Sequence, residues 1–211
     1  MSDATFSPSR RILLLGAGAL TLSACSGVIG PAGDNQIYVL RPTFQKLSGP
    51  VVNWGMSIDR PDADQSLDTN RISISRSPTT MDYYANAVWT DRITDLVRDN
   101  TVRAFEESGR QSSIAAASVG ARAEYSLEMQ VRHFEARYDT PDGAPTAVVE
   151  LHVKLVRKLK QNIMGDFVVH KEAQASANSI DAAVMAFDQA FSAALVELVE
   201  WTLRTGVPIP A

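Results

Sequence analysis

The chain has 211 residues and a mass of 22.9 kDa, the size of one domain with at most a short appendage. Hydrophobic residues make up 45% and charged residues 21%, with a mean hydropathy of −0.07, which excludes wholesale disorder and a polytopic membrane protein. Lys and Arg total 20 against 24 Asp and Glu, so the net charge is −4 and an overall basic footprint for nucleic acid is absent.

Arg10 and Arg11 precede an uncharged run, Ile12 to Leu22, that leads into Leu22-Ser23-Ala24-Cys25. A basic patch, a short apolar segment and small residues before a cleavage point have the order of a secretory signal. Eleven helical residues span roughly 16 Å at ~1.5 Å each, against a hydrocarbon core of ~30 Å, so a membrane-spanning reading fails on length. Cys25 is the one cysteine, so neither an intrachain disulfide nor a Cys-based zinc site can form. Leu-Ser-Ala-Cys resembles the lipobox of bacterial lipoproteins. That resemblance implies cleavage before Cys25 and acylation of Cys25, for instance with palmitate. One acyl chain holds a protein only marginally, whereas two or three hold it firmly. Ser9-Arg10-Arg11-Ile12-Leu13 resembles a twin-arginine export signal, but paired arginines also occur in ordinary signals, so both export routes stay open. Residues 1–24 are thus expected to be the signal peptide. The 187 residues that follow carry 18 basic and 23 acidic side chains, a balance of −5, which does not favour lying flat on anionic lipid.

Residues 25–36 are expected to be the lipidated cysteine and a tether. Ser26 to Gln36 is rich in small and turn residues and extends ~36 Å at most, at ~3.3 Å per residue. Folding signals begin at Ile37. Ile37 to Leu40 reads as a short strand stopped by Pro42, and Val51 to Ile58 as a second followed by the breaker Pro61. Arg71-Ile-Ser-Ile-Ser-Arg76 alternates strictly, with Ile72 and Ile74 on one side. Met81 to Trp89 is aromatic-rich and extended. Thr90-Asp91 is expected to cap a helix from about Arg92 to Ser108, with Ile93, Leu96, Val97, Ala104 and Phe105 near one stripe and Gly109 as its left-handed stop. Ser113 to Ala117 reads as a further short strand.

Three long strands follow, Glu124 to Tyr138, Thr146 to Lys160 and Gly165 to Ala177, with turns at Asp139–Pro145 and Gln161–Gly165. Tyr125, Leu127, Met129 and Val131 share one face of the first; Val149, Leu151, Val153, Leu155 and Leu159 share one face of the second. The opposite rows are polar, as in an antiparallel sheet with one packed face. Ser179 caps a last helix, Ile180 to Thr205, whose Ala183, Val184, Phe187, Phe191, Ala194, Leu195, Leu198 and Trp201 recur every three or four residues. The expected fold is α+β. It is a single two-layer domain over 37–205, an antiparallel sheet with a long β meander packed against two helices, the C-terminal one long. Residues 206–211 form a tail.

The search for chemistry finds little. His133, His152 and His170 lie on successive strands, but His133 continues an apolar row while the other two fall on polar rows, so a shared metal site requires a bulge. Asp62, Asp64 and Asp68 lack the glycine and distal glutamate of a calcium loop and read as a solvated acidic loop. Arg71 and Arg76 read as charges guarding an edge strand. Arg157, Lys158 and Lys160 are the densest basic cluster, beside a turn. A solvated strand end is the simpler account, with lipid headgroups or a partner as alternatives. The patterns Gly-x-Ser-x-Gly, His-Glu-x-x-His and the P-loop do not occur.

Arg71-Ile-Ser-Ile-Ser-Arg76, then Tyr83-Tyr84, Trp89 and the helix with Ile93, Leu96 and Val97 resemble the ABC-type transport auxiliary lipoprotein family, the PqiC-like group. The order around them is similar too: lipobox, a short strand at Tyr38-Val39-Leu40, this block, a meander and a last amphipathic helix, together covering most of residues 20 to 205. Thr69-Asn70-Arg71-Ile72 departs from the family's usual Pro-x-Ile/Leu-Val. The resemblance implies a non-catalytic, periplasm-facing lipoprotein without cofactor. It would work with an MCE-domain protein and its ABC permease and ATPase in lipid or solvent transport between membranes. Ser26 after Cys25, where an aspartate signals inner-membrane retention, fits the outer membrane. Two other readings stay open, an assembly factor for another envelope complex and a hydrolase with a non-motif site. Self-association through an edge strand also stays open.

Overall fold

A computed structural model describes residues 35–111, 114–116 and 123–206. Cys25, Ser113, Ala117 and the tail from Val207 lie outside these residues. In chain order the elements are β1 (Gln36–Tyr38), β2 (Met56–Ile58), β3 (Asp62–Ala63), β4 (Arg71–Ser77), β5 (Thr80–Trp89), α1 (Ile93–Ser108), β6 (Ile114–Ala116), β7 (Tyr125–Arg137), β8 (Thr146–Arg157), β9 (Asn162–Gln174) and α2 (Ile180–Thr205).

β7, β8 and β9 form the antiparallel meander, with Tyr125 opposite Arg157, Arg137 opposite Thr146 and Thr146 opposite Gln174. The other edge of β7 takes three short strands in succession, all parallel to it. β2 pairs along Tyr125–Leu127, β3 along Gln130–Val131 and β4 along Glu135–Arg137. β5 pairs antiparallel with β4, β1 parallel with β5, and β6 parallel with β2. The α+β class, the meander and the long last helix match the sequence reading, but the sheet is mixed rather than antiparallel. Alternation along a strand reports which side chains share a face; it carries nothing about which strand lies alongside or in which direction.

One face of the sheet carries both helices. Tyr125, Leu127, Met129 and Val131 are buried there, as are Val149, Leu151, Val153 and Leu155. Leu159, expected to extend that row, instead sits past the end of β8 and is 86% exposed. α2 lays Phe187 and Phe191 on this face, both fully buried. Phe187 stacks on Phe134 with centroids 5.1 Å apart, and Trp89 and Phe191 meet those rings edge-on at 5.4 and 5.6 Å. Such ring pairs add ~0.5–1.5 kcal/mol beyond their buried area.

The two helix starts differ. Ser179 caps α2 as expected, its Oγ accepting from the Ala182 N–H at 3.2 Å. α1 has no side-chain cap. The Asp91 carboxylate accepts from the adjacent Arg92 N–H, and the Ile93 N–H donates to the Thr69 carbonyl at 3.1 Å. The start of α1 is therefore held by the incoming loop rather than by Thr90-Asp91. At its end Gly109 is left-handed, φ 69°, as the sequence implied. The β8–β9 turn comes earlier than expected, over 158–161, with Gln161 at φ 53°. Gly165 lies inside β9, where a Cβ would press on Trp201 and Thr205 of α2.

Phe187→Ala and Phe191→Ala should each cost ~3–5 kcal/mol, a large share of a domain's ~5–15 kcal/mol. Urea unfolding measures this, and near-unchanged midpoints would remove the aromatic cluster from its place at the centre of the core.

Candidate functional site

The lipidation residue expected from the sequence, Cys25, lies outside the described residues. Residues 38–43 are held in place. After β1 the chain runs along α2 as an extended strap. The Tyr38 hydroxyl donates to Asp181, the Arg41 N–H to Asp188 Oδ1 at 2.6 Å, and the Thr43 N–H to Ser192 Oγ at 2.8 Å. Asp181, Asp188 and Ser192 recur along one face of α2, so a single helical row holds the strap. Burial holds the Asp188 carboxyl above its usual value, against the pull of the Arg41 N–H.

The face of the meander away from the helices carries the densest set of titratable groups. A register shift between Val131 and His133 makes Arg132 a bulge. The shift turns Phe134 and Ala136 into the core and sends His133 to the outer face, reversing the phase read from the sequence. His133, Glu150 and His170 then lie in one row across β7, β8 and β9. His133 Nδ1 lies 2.7 Å from Glu135 Oε1, and Glu135 Oε2 accepts the Phe134 N–H at 2.8 Å, so this buried carboxylate is satisfied. His170 sits between two carboxylates, with Nδ1 2.9 Å from Glu150 and Nε2 3.1 Å from Glu172. Only the imidazolium donates from both ring nitrogens, so this geometry favours the charged form. Burial pulls His170 down, but the hydrogen bonds to Glu172 and Glu150 outweigh it and hold it above its usual value. Arg137 forks onto both Glu172 oxygens at 2.7 and 2.9 Å. That fork, with help from His170 and against burial, lowers Glu172 to about 2. His152 stands apart, paired with Asp166 at 2.6 Å.

This network floors a groove of about 790 Å³ between the meander and the β4–β5 hairpin. Arg76 lies over the Tyr138 ring at 4.6 Å along its wall. Among the described residues no group of three or more His, Cys, Asp or Glu side chains is arranged to hold a metal ion. The histidines meet carboxylates and arginines, an ion-pair lattice that fixes the outer face.

Two other expectations are corrected. β4 is an interior strand between β5 and β7, so Arg71–Arg76 offers no edge to a neighbouring chain. Its arginines stack instead, Arg71 over Tyr83 at 3.7 Å and Arg76 over Tyr138. Asp68 is not simply solvated. It accepts from the Thr94 hydroxyl at 2.7 Å and pairs with Arg60 at 3.0 Å, while Arg60 also reaches Asp95. Thr94, with Arg60 and Arg92 beside it, holds the Asp68 carboxyl below its usual value despite burial. This knot ties the 59–70 loop to the start of α1.

The match to known proteins falls on the same elements. The family model of the ABC-type transport auxiliary lipoprotein component matches residues 38–199, from β1 into α2. The chain belongs to that family. A crystal structure of a Xanthomonas campestris protein is similar at 31% identity and TM-score 0.76, covering 81% of this chain and 96% of that one. A second, of an uncharacterized protein, matches at 15% identity and TM-score 0.63, covering 80% and 99%, and shares the fold. The PelC dodecamer from Paraburkholderia phytofirmans matches at 14% identity over 71% and 95%, and its TM-score of 0.36 carries no argument. No curated relative matches the chain. The family is that of an auxiliary component of ABC-type transport, a lipoprotein of the cell envelope.

Linkage fixes the sign of the lattice's pH response. The raised His170 stabilises the fold below its unfolded value of 6.5 and loses that effect as pH rises through its folded value. The lowered Glu172 stabilises the fold above 4.5 and loses that effect as pH falls toward about 2. Both are partly exposed, so screening keeps each contribution near or below ~1 kcal/mol. In Glu172→Gln, His170 should titrate lower than in wild type by NMR, and the stability difference should shrink as pH falls from 4.5 toward 2. An unmoved His170 would remove Glu172 from the lattice.

Proposed function

We propose that this protein is a non-catalytic docking component of an MCE-type ABC system that moves lipid between membranes. In this reading acylated Cys25 anchors it in the outer membrane, facing the periplasm, and its domain engages the MCE-domain protein served by the permease and ATPase. The observation that carries the reading is the family match across residues 38–199 in a chain that also presents Leu22-Ser23-Ala24-Cys25.

Among the described residues β9 is the longest edge open to a partner strand. It pairs only with β8 among the described residues and runs for thirteen residues. An extended segment of the MCE partner, or a second copy of this chain, can add to such an edge by backbone hydrogen bonding.

Two measurements test the reading. Cys25→Ser should abolish acylation and release the protein from carbonate-washed membranes while the domain stays folded. Retention in the washed outer-membrane fraction would overturn the acyl anchor. Affinity capture of the lipidated protein from envelope extract should recover an MCE-domain protein. Repeated capture of other envelope machinery would replace the docking reading with an assembly role.

A further inference from the structure

Among the described residues, the β8–β9 turn sets large exposed apolar side chains beside exposed lysines. Leu159 is 86% exposed at the apex and Ile163 is 59% exposed on the returning strand. Lys158 and Lys160 flank Leu159 on either side and are themselves exposed. The tip is not loosely rooted. Arg157 turns back into the domain, reaching the Tyr125 hydroxyl at 3.2 Å, and the Lys158 N–H donates to the Glu124 carbonyl at 2.9 Å. Lys158 Nζ touches Ser57 Oγ at 3.3 Å, and Lys160 has no ion pair among the described residues. The Glu124 carboxylate accepts from the Gly55 N–H, and Asp166 pairs with His152. Just behind the tip, Trp201 stacks on Phe167 with centroids 5.2 Å apart and borders Gly165, and Arg204 follows one turn later on α2.

We propose that residues Lys158–Ile163 are a membrane-contact tip, which sinks Leu159 and Ile163 into the interface of an anionic bilayer while Lys158 and Lys160 meet lipid phosphates. Apolar side chains at the apex, lysines at their shoulders and a tryptophan behind follow the depth order of an interfacial element. A bilayer suits this shape better than a protein does. A projecting turn needs a matching cavity on a protein partner, whereas lipid reshapes around it. The charge of the turn also fits: Lys158 and Lys160 are exposed, and no acidic residue occurs from Arg157 to Gly165. The inference rests on the proposed acyl anchor at Cys25 and the membrane it enters, and does not require an MCE partner.

The test uses the acylated protein in vesicles of phosphatidylglycerol with brominated acyl chains, which quench indole fluorescence on contact. Leu159→Trp places an indole at the apex. Met185→Trp places one at a site 70% exposed, sixteen residues before Trp201 and roughly 24 Å back along α2. The native Trp54 and Trp89 are buried, and the partly buried Trp201 behind the tip is common to every variant, so added quenching is read against wild type. Expected is strong quenching for Leu159→Trp over wild type and none added for Met185→Trp. Adding Lys158→Glu and Lys160→Glu to Leu159→Trp should weaken the contact on the order of fivefold per lysine. Moving to phosphatidylcholine vesicles should have a similar effect. No added quenching at 159 would overturn the proposal. So would equal quenching at both sites, or quenching at 185 alone, which places the opposite end of the domain on the membrane. Quenching indifferent to lipid charge and to the two lysines would overturn the phosphate contacts. All the substituted positions are exposed, and thermal melts matching wild type verify that each variant folds.

Discussion

The structure depends on one strand being used on both edges, one edge by a single long partner and the other by three short ones in turn. β7 has β8 on one side and, on the other, β2, β3 and β4 end to end. A buried strand must satisfy every N–H and C=O. None of the early strands is long enough to do this for a thirteen-residue partner, because Pro61 and the 64–70 turns interrupt them. The chain therefore makes three visits to the same edge. Each return sets a position elsewhere. The first carries β6 outward, the second anchors the acidic loop, and the third brings in the β4–β5 hairpin and, through it, β1.

The Arg132 bulge decides what the two faces contain. Without it Phe134 would point outward and the stack with Phe187 would have no partner. With it the helix side gains an aromatic centre and the outer side gains His133, Glu135 and Arg137 in line with Glu150, His170 and Glu172. The same single-residue slip thus produces both the best-packed and the most highly charged parts of the domain.

Much of this was legible in the residues. The strict alternation of 71–76, the meander rows and the three-to-four spacing of α2 all correspond to observed faces, because each reports on local geometry. The bulge also left a trace, since the apolar parity changes between Val131 and Phe134. What alternation could not carry was partnership. Arg71 and Arg76 look like guards of an exposed edge, but a guanidinium stacked on a tyrosine leaves the same signature in sequence. Thr90-Asp91 looks like a cap, but the loop carbonyl of Thr69 takes the Ile93 amide. The carboxylate lattice was hidden for the same reason. Glu172 and Arg137 are 35 residues apart in sequence, and only the register of β7, β8 and β9 brings them together.

The strap sets an order of events. Its bonds to Asp188 and Ser192 join residues separated by 147 and 149 positions, nearly the full span of the domain. Loop closure of that length comes late, after local structure and the meander have formed. The strap over residues 38–43 therefore stays undocked until α2 is complete, and the formation of that last helix is the step that locks it down.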